Sequence, residues 1–153
     1  MDKLLNVTLK QDKNSFGVQD GMDLSLLKMN KVNNELIIST ARRPFVLIQK
    51  GQLRDFKGGK YSLGGLHSGE KTFEETKLQY ENGDMLYFFT DGYGDQFGGE
   101  NGKKFSTKRL RDLFHAISSK EVLAQKEVLD EEISKWKGSL EQVDDICVIG
   151  IRL

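Results

Sequence analysis

Acidic residues flank the two most apolar segments of the chain, and their placement suggests metal chemistry. Asp91 follows the run "MLYFFT", and Asp144-Asp145 precede "ICVIGI". If these segments are antiparallel neighbours in one sheet, the exit of the first and the entrance of the second fall at the same edge. Adjacent strands lie about 4.8 Å apart, so the carboxylates converge there. Like charges that close raise one another's pKa unless a cation lies between them. Oxygen-only ligation selects a hard divalent ion, Mg2+ or Mn2+, over zinc or copper. Two such ions roughly 3.5–4 Å apart lower the pKa of a bridging water and clamp the oxygens of a phosphoester. Gly92 and Gly94, beside the first acid, leave room for carbonyls and waters to approach. The competing interpretation is that Thr90-Asp91-Gly92 is a turn and Asp144-Asp145 the solvated start of a strand.

Other residues carry a chemical and a plain interpretation side by side. Arg42-Arg43, between "LIISTA" and Pro44, suit a phosphate, because a guanidinium binds its oxygens bidentately; the plain alternative is a solvated hairpin rim. Asp95-Gln96 suit partners that orient metal ligands, or simply a loop. Gly98, Gly99, Gly102 and Lys103-Lys104 form a glycine-rich basic loop, either a gate or a connection. Trp136, at helical spacing from Leu129 and Ile133, reads as packing. Cys147, inside an apolar run, reads as a buried structural thiol.

The totals bound the remaining possibilities. The 153 residues make one domain, with 37% hydrophobic residues and enough apolar mass for a core. Lys+Arg and Asp+Glu both number 23, which gives no basic excess for nucleic acid or an anionic membrane. A single cysteine excludes a disulfide within the chain and suits a reducing compartment. No apolar stretch approaches the roughly 20 residues that span a bilayer, and "MDKLLNVTLKQDKNSF" is too charged for a signal peptide. A cytoplasmic chain is expected, from a parent protein that is itself tethered or free.

The elements that would position the acids are mostly strands. Residues 2–11 fit a short amphipathic helix or an alternating strand. "MDLSLLKMN" and "ELIISTA" flank a turn at Asn33-Asn34, and "PFVLIQ" and "QLRDF" flank Lys50-Gly51, both hairpin signals. "FEETKLQY" ends at Asn82-Gly83, a third hairpin cue, and leads to "MLYFFT", whose apolar residues on both faces mark a central strand. Ser106 caps a helix over "TKRLRDLFHAI" with Leu110, Leu113, Phe114 and Ile117 on one face. Ser118 and Glu121 have capping-box spacing before "EVLAQKEVLDEEISKWK", and Gly138 stops that helix. Strands first, helices late and a final strand make an α+β pattern with a mainly antiparallel sheet.

With these motifs in place, "GDMLYFFTDGYGDQFGGENGKKF" and "WKGSLEQVDDICVIGIRL" resemble the C-terminal part of SpoIIE-type serine phosphatases, within the metal-dependent (type 2C) phosphatase superfamily. "DGMDLSLLKMN", "ARRPFVLIQKGQL" and "YSLGG" match in the same order, so the resemblance runs from about residue 20 to the end. It implies an α-β-β-α sandwich of two antiparallel sheets. It also implies two Mn2+ or Mg2+ ions in the complete domain, with Asp91 and Asp144 as ligands and Asp145 and Gly92 beside them. The implied reaction is hydrolysis of phosphoserine on a regulatory partner protein by metal-activated water. The family's metal centre also needs an upstream acidic motif and an Asp-x-x-Gly-His-Gly turn. No Gly-His-Gly occurs here, and His67 and His115 sit in unrelated contexts. The expectation is therefore an N-terminally truncated domain, with residues 1–19 a remnant of an upstream helix and 20–153 the distal part. Sensor or signalling domains are expected upstream, and little activity from this piece alone. A non-catalytic regulatory or interaction module on the same fold is the alternative, and an unpaired sheet edge would favour a homodimer.

Overall fold

The computed structural model describes residues 1–9, 11, 20–65, 67 and 69–153. In chain order the elements are α1 (Asp2–Thr8), β1 (Gly21–Met22), β2 (Leu24–Asn30), β3 (Glu35–Ala41), β4 (Phe45–Gln49), β5 (Gln52–Phe56), β6 (Leu63–Gly64) and β7 (Glu75–Gln79). There follow β8 (Met85–Phe89), α2 (Gly92–Asp95), β9 (Phe97–Gly98), β10 (Lys103–Lys104), α3 (Thr107–Ile117), α4 (Val122–Lys137) and β11 (Val148–Arg152). The chain forms two compact units, Met1–Pro44 with Lys57–Gln79 and Phe45–Phe56 with Tyr80–Leu153. Among the described residues no helix is long and apolar enough to cross a membrane.

The first unit is built on an antiparallel sheet ordered β2-β3-β7, with β1 paired to β6 beside it. The β2–β3 hairpin turns where Asn33-Asn34 predicted, and Asn34 takes the left-handed backbone (φ +53°) such a turn requires. Along β3, Leu36, Ile38 and Thr40 are buried and alternate with half-buried residues, the period of a strand with one fully covered face. The start of the chain is a helix rather than a strand, without a side-chain cap, and Leu4, Val7 and Leu9 are exposed. The rest of the expected helical remnant, residues 10 and 12–19, lies outside the described residues.

The second unit carries a four-stranded antiparallel sheet ordered β11-β8-β4-β5. As predicted, β4 and β5 are joined at Lys50-Gly51, where both residues have positive φ. β8 is an inner strand, with all of its residues buried except the half-buried Phe88. Tyr87 stacks on Phe114 of α3 at 4.3 Å, and Phe89 tilts against the same ring at 5.5 Å. Leu110 and Ile117 of α3 and Leu129 of α4 complete this core. Each such fully buried side chain contributes roughly 1.5–3 kcal/mol. Ser106 caps α3 by accepting from the Arg109 amide at 3.3 Å, and Gly138 ends α4 at φ +56°.

Three sequence-based expectations are corrected. Asn82-Gly83 does not close a hairpin: β7 pairs with β3, while β8 pairs with β4 and β11. The half-exposed, alternating β7 and the buried β8 demand different neighbours, so the turn passes the chain between sheets. Ser118 and Glu121 form no capping box. Ser118 ends α3, donating to the His115 carbonyl at 2.9 Å, and Glu121 is itself the N-cap of α4, so the helix starts three positions later than a Ser118–Glu121 box requires. Cys147 is exposed rather than buried, because it precedes β11, the outermost strand of its sheet.

Candidate functional site

The exit of β8 and the entrance of β11 do meet. β11 runs antiparallel to β8 with Val148 opposite Phe89 and Arg152 opposite Met85. The ladder extends beyond both strands: the Thr90 amide donates to the Cys147 carbonyl at 3.0 Å. The Thr90 hydroxyl donates to the Asp145 carbonyl at 2.8 Å and accepts from the Cys147 amide at 2.9 Å. The next residue is Asp91, so the acid after β8 and the acids before β11 lie at one end of one strand pair. All three carboxylate residues are exposed.

Backbone contact tightens the junction. At Gly92 a Cβ would lie 2.4 Å from the Asp145 carbonyl oxygen and 3.2 Å from the Asp144 carbonyl carbon, so only glycine lets the two segments touch. Gly94 serves a different neighbour, the start of α3, where Ser106 donates to its carbonyl at 2.7 Å. The turn after Asp91 is the short helix α2, closed by Asp95 donating to the Asp91 carbonyl at 2.9 Å. Tyr93, 1% exposed, fastens α2 to α4 by donating to the Leu129 carbonyl at 2.8 Å. Burial raises the pKa of this hydroxyl, which stays a neutral donor.

Gln96 is the residue whose role the sequence left open. Its side chain is fully buried, donates to the Glu141 carbonyl at 2.9 Å and accepts from the Val143 amide at 3.3 Å. It thus holds the segment leading into Asp144. Its backbone carbonyl accepts from the Trp136 indole at 3.0 Å, and Trp136 packs edge-on against Phe105, as expected of a packing residue. Asp95 instead pairs with Lys104 at 3.1 Å. The glycine-rich loop folds as the β9–β10 hairpin against the end of α4, with Gly99 donating to the Trp136 carbonyl at 2.8 Å. The Asp144 carboxylate accepts from the amide of Asp145 at 2.7 Å.

The donors fit a hard divalent ion in kind but not in number. Carboxylates backed by a strand junction are the oxygen ligands that Mg2+ or Mn2+ takes. Among the described residues, however, no three His, Cys, Asp or Glu side chains are grouped closely enough to hold a metal. The arginine pair belongs to the first unit and is split. Arg43 pairs with Asp23 at 3.9 Å and is half-buried, while the Arg42 side chain is exposed from a left-handed backbone (φ +61°). The His115 ring contacts the Gly51 carbonyl at 2.7 Å.

Comparison with known proteins matches the family model "Stage II sporulation protein E (SpoIIE)" over residues 3–153. No curated protein sequence matches the chain. Among solved structures, the SiaA-PP2C domain of Pseudomonas aeruginosa is similar at TM-score 0.84 and 22% identity, covering 99% of this chain and 57% of that one. The phosphatase domain of the cell fate determinant SpoIIE from Bacillus subtilis follows at TM-score 0.63 and 16% identity, covering 99% and 64%. The Mycobacterium tuberculosis serine/threonine phosphatase PstP/Ppp gives TM-score 0.66 and 15% identity, covering 99% and 67%. At these identities the likeness establishes the fold, α+β with antiparallel sheets of the PP2C type, and the chain spans less than two thirds of the first two structures. The match over nearly its whole length makes the chain a member of the SpoIIE family.

Proposed function

We propose that this chain is the distal part of a metal-dependent protein phosphatase domain that hydrolyses phosphoserine on a regulatory partner protein. The observation that supports this most directly is the junction of β8 and β11, where Thr90 and Gly92 bring the Asp91 and Asp144-Asp145 segments into backbone contact. Membership of the SpoIIE family and the PP2C-type fold point the same way. Asp91 and Asp144 would hold the ion, with Asp145 as a further ligand or hydrogen-bonding neighbour and the glycine at 92 permitting close approach. Mg2+ or Mn2+ bound there supplies an electrophile for phosphoryl oxygens and an acidified water. The protein's own contribution is to fix the two acidic segments against each other before any ion arrives. Among the described residues no third ligand is grouped with these acids, and the isolated chain is expected to hydrolyse little unless further donors complete the site.

That same shortage favours a second reading, a non-catalytic regulatory module on the PP2C fold. One paired experiment separates them. Mn2+ affinity and hydrolysis of a phosphoserine peptide are measured for this chain and for a version extended upstream, each also as Asp91→Asn. The extended form should hydrolyse the peptide with Mn2+, and Asp91→Asn should weaken Mn2+ binding by at least about tenfold. An inert extended form overturns the phosphatase assignment, and unchanged Mn2+ affinity in Asp91→Asn overturns the site.

A further inference from the structure

The first unit contains a cleft of about 390 Å³ whose chemistry differs from that of the carboxylate junction. Its lining includes Arg42, Lys60, His67 and Lys71 and contains no acidic residue. Asp2 pairs with Lys71 at the edge of the lining, so the net positive potential of this concave site rests on Arg42 and Lys60. The volume lies within the ~300–1,000 Å³ range of small-ligand sites.

The three cations and the imidazole are not equivalent. The Lys71 ammonium is nearly buried and already engaged: it donates to Asp2 at 3.2 Å, to the carbonyls of Ser62 at 3.1 Å and Gly65 at 3.3 Å, and to that of Gly64. It orders the floor of the cleft. His67 is tied through Nδ1 to Gly69 and rests edge-on against Tyr61 at 4.6 Å. Arg42 and Lys60 remain, both exposed. Among the described residues neither has an acidic partner. Lys60 leans over the Tyr61 ring at 5.2 Å, which limits its wandering.

Arg42 is held by its backbone. Its φ of +61° is uncommon for a residue with a Cβ and persists only where surroundings impose it. They do: the Arg42 amide donates to the Gly59 carbonyl at 3.1 Å, and a Cβ at Gly58 would fall 2.0 Å from the Arg42 carbonyl oxygen. The strained turn places Arg42 in the lining of the cleft, while its neighbour Arg43 pairs with Asp23.

We infer that this cleft binds a phosphate monoester, with the Arg42 guanidinium and the Lys60 ammonium as its donors. A planar guanidinium takes two phosphate oxygens, and the lysine adds a point charge on a third. The inference narrows the sequence-based arginine pair to Arg42 and adds Lys60. It rests on the phosphatase reading only for the source of the ligand, a phosphoserine segment of the protein substrate.

Binding is tested apart from hydrolysis. Amide resonances of the intact chain are followed by NMR during titration with inorganic phosphate, with a phosphoserine peptide and with the same peptide unphosphorylated. Phosphate and phosphopeptide should shift Arg42, Lys60 and Tyr61, and the unphosphorylated peptide should not. Arg42→Asn, chosen because asparagine tolerates the left-handed backbone, and Lys60→Gln should each weaken binding about tenfold. Lys28→Gln, the same charge change on an exposed residue of β2, should leave it within twofold. Absence of saturable shifts at the cleft with any phosphate probe overturns the inference, as does an equal loss in Lys28→Gln. Shifts with inorganic phosphate but not with the phosphopeptide retain the site and remove the protein substrate as its source. Phosphate binding together with an inert extended enzyme leaves the cleft standing and removes the phosphatase reading.

Discussion

The Thr90 hydroxyl stands between the Asp145 carbonyl at 2.8 Å and the Cys147 amide at 2.9 Å, donating to one and accepting from the other. One short side chain thereby stitches the exit of β8 to the entrance of β11 just beyond the ends of both strands. Thr90→Val keeps the shape and removes both bonds. It should cost about 1–2 kcal/mol in urea denaturation, with faster hydrogen exchange at the Cys147 amide. An unchanged Cys147 exchange rate would show that the hydroxyl is not what closes the junction.

Gly92→Ala gives a prediction whose sign is informative. In an ordinary helical position alanine is favoured over glycine by about 1 kcal/mol. Here the added Cβ would press within 2.4 Å of the Asp145 carbonyl oxygen, a backbone atom that cannot swing aside. The substitution should therefore destabilise by more than about 2 kcal/mol, read as a lowered urea midpoint. A neutral or stabilised variant would mean that the segments do not touch.

Gln96→Leu preserves volume and leaves the Glu141 carbonyl and the Val143 amide without their buried partner. The expected cost is about 2–4 kcal/mol, with exchange protection lost first at Val143. Stability within experimental error of the parent would assign the 141–145 segment to some other anchor.

Alkaline pH should weaken the second unit. Burial pushes the Tyr87 hydroxyl up to about 12 from its ordinary 10, and the hydroxyl donates to Gln125 at 2.6 Å. The pKa is raised on folding, so the neutral form is the one the core favours. Its contribution is fully present below pH 10 and is lost as pH rises toward and through about 12. Urea midpoints should fall across that window, in step with tyrosinate absorbance, and the fall should be smaller in Tyr87→Phe. A flat midpoint to the top of the window would contradict the burial.

Much of the frame was legible from short-range signals. Asn33-Asn34 and Lys50-Gly51 turn where a hairpin needs left-handed backbone, Ser106 and Gly138 bound the helices, and the two most apolar runs are strand neighbours. Such signals act within a few residues or follow from burying apolar faces, and both are written in residue type. What the sequence could not express is partnership between distant residues that are individually unremarkable. Asn82-Gly83 looks like any hairpin turn, yet its flanking strands join different sheets, because sheet membership depends on which faces each strand must cover. Arg42 and Arg43 are chemically identical neighbours, and only the fold places one in the lining of a basic cleft and pairs the other with Asp23. Gln96 reads as a loop polar residue until the chain brings Glu141 and Val143 to it across 45 and 47 positions. Residue types determined which chemistry was available, and packing decided which side chains meet, because a hydrogen bond or ion pair depends on distance in space rather than separation along the chain.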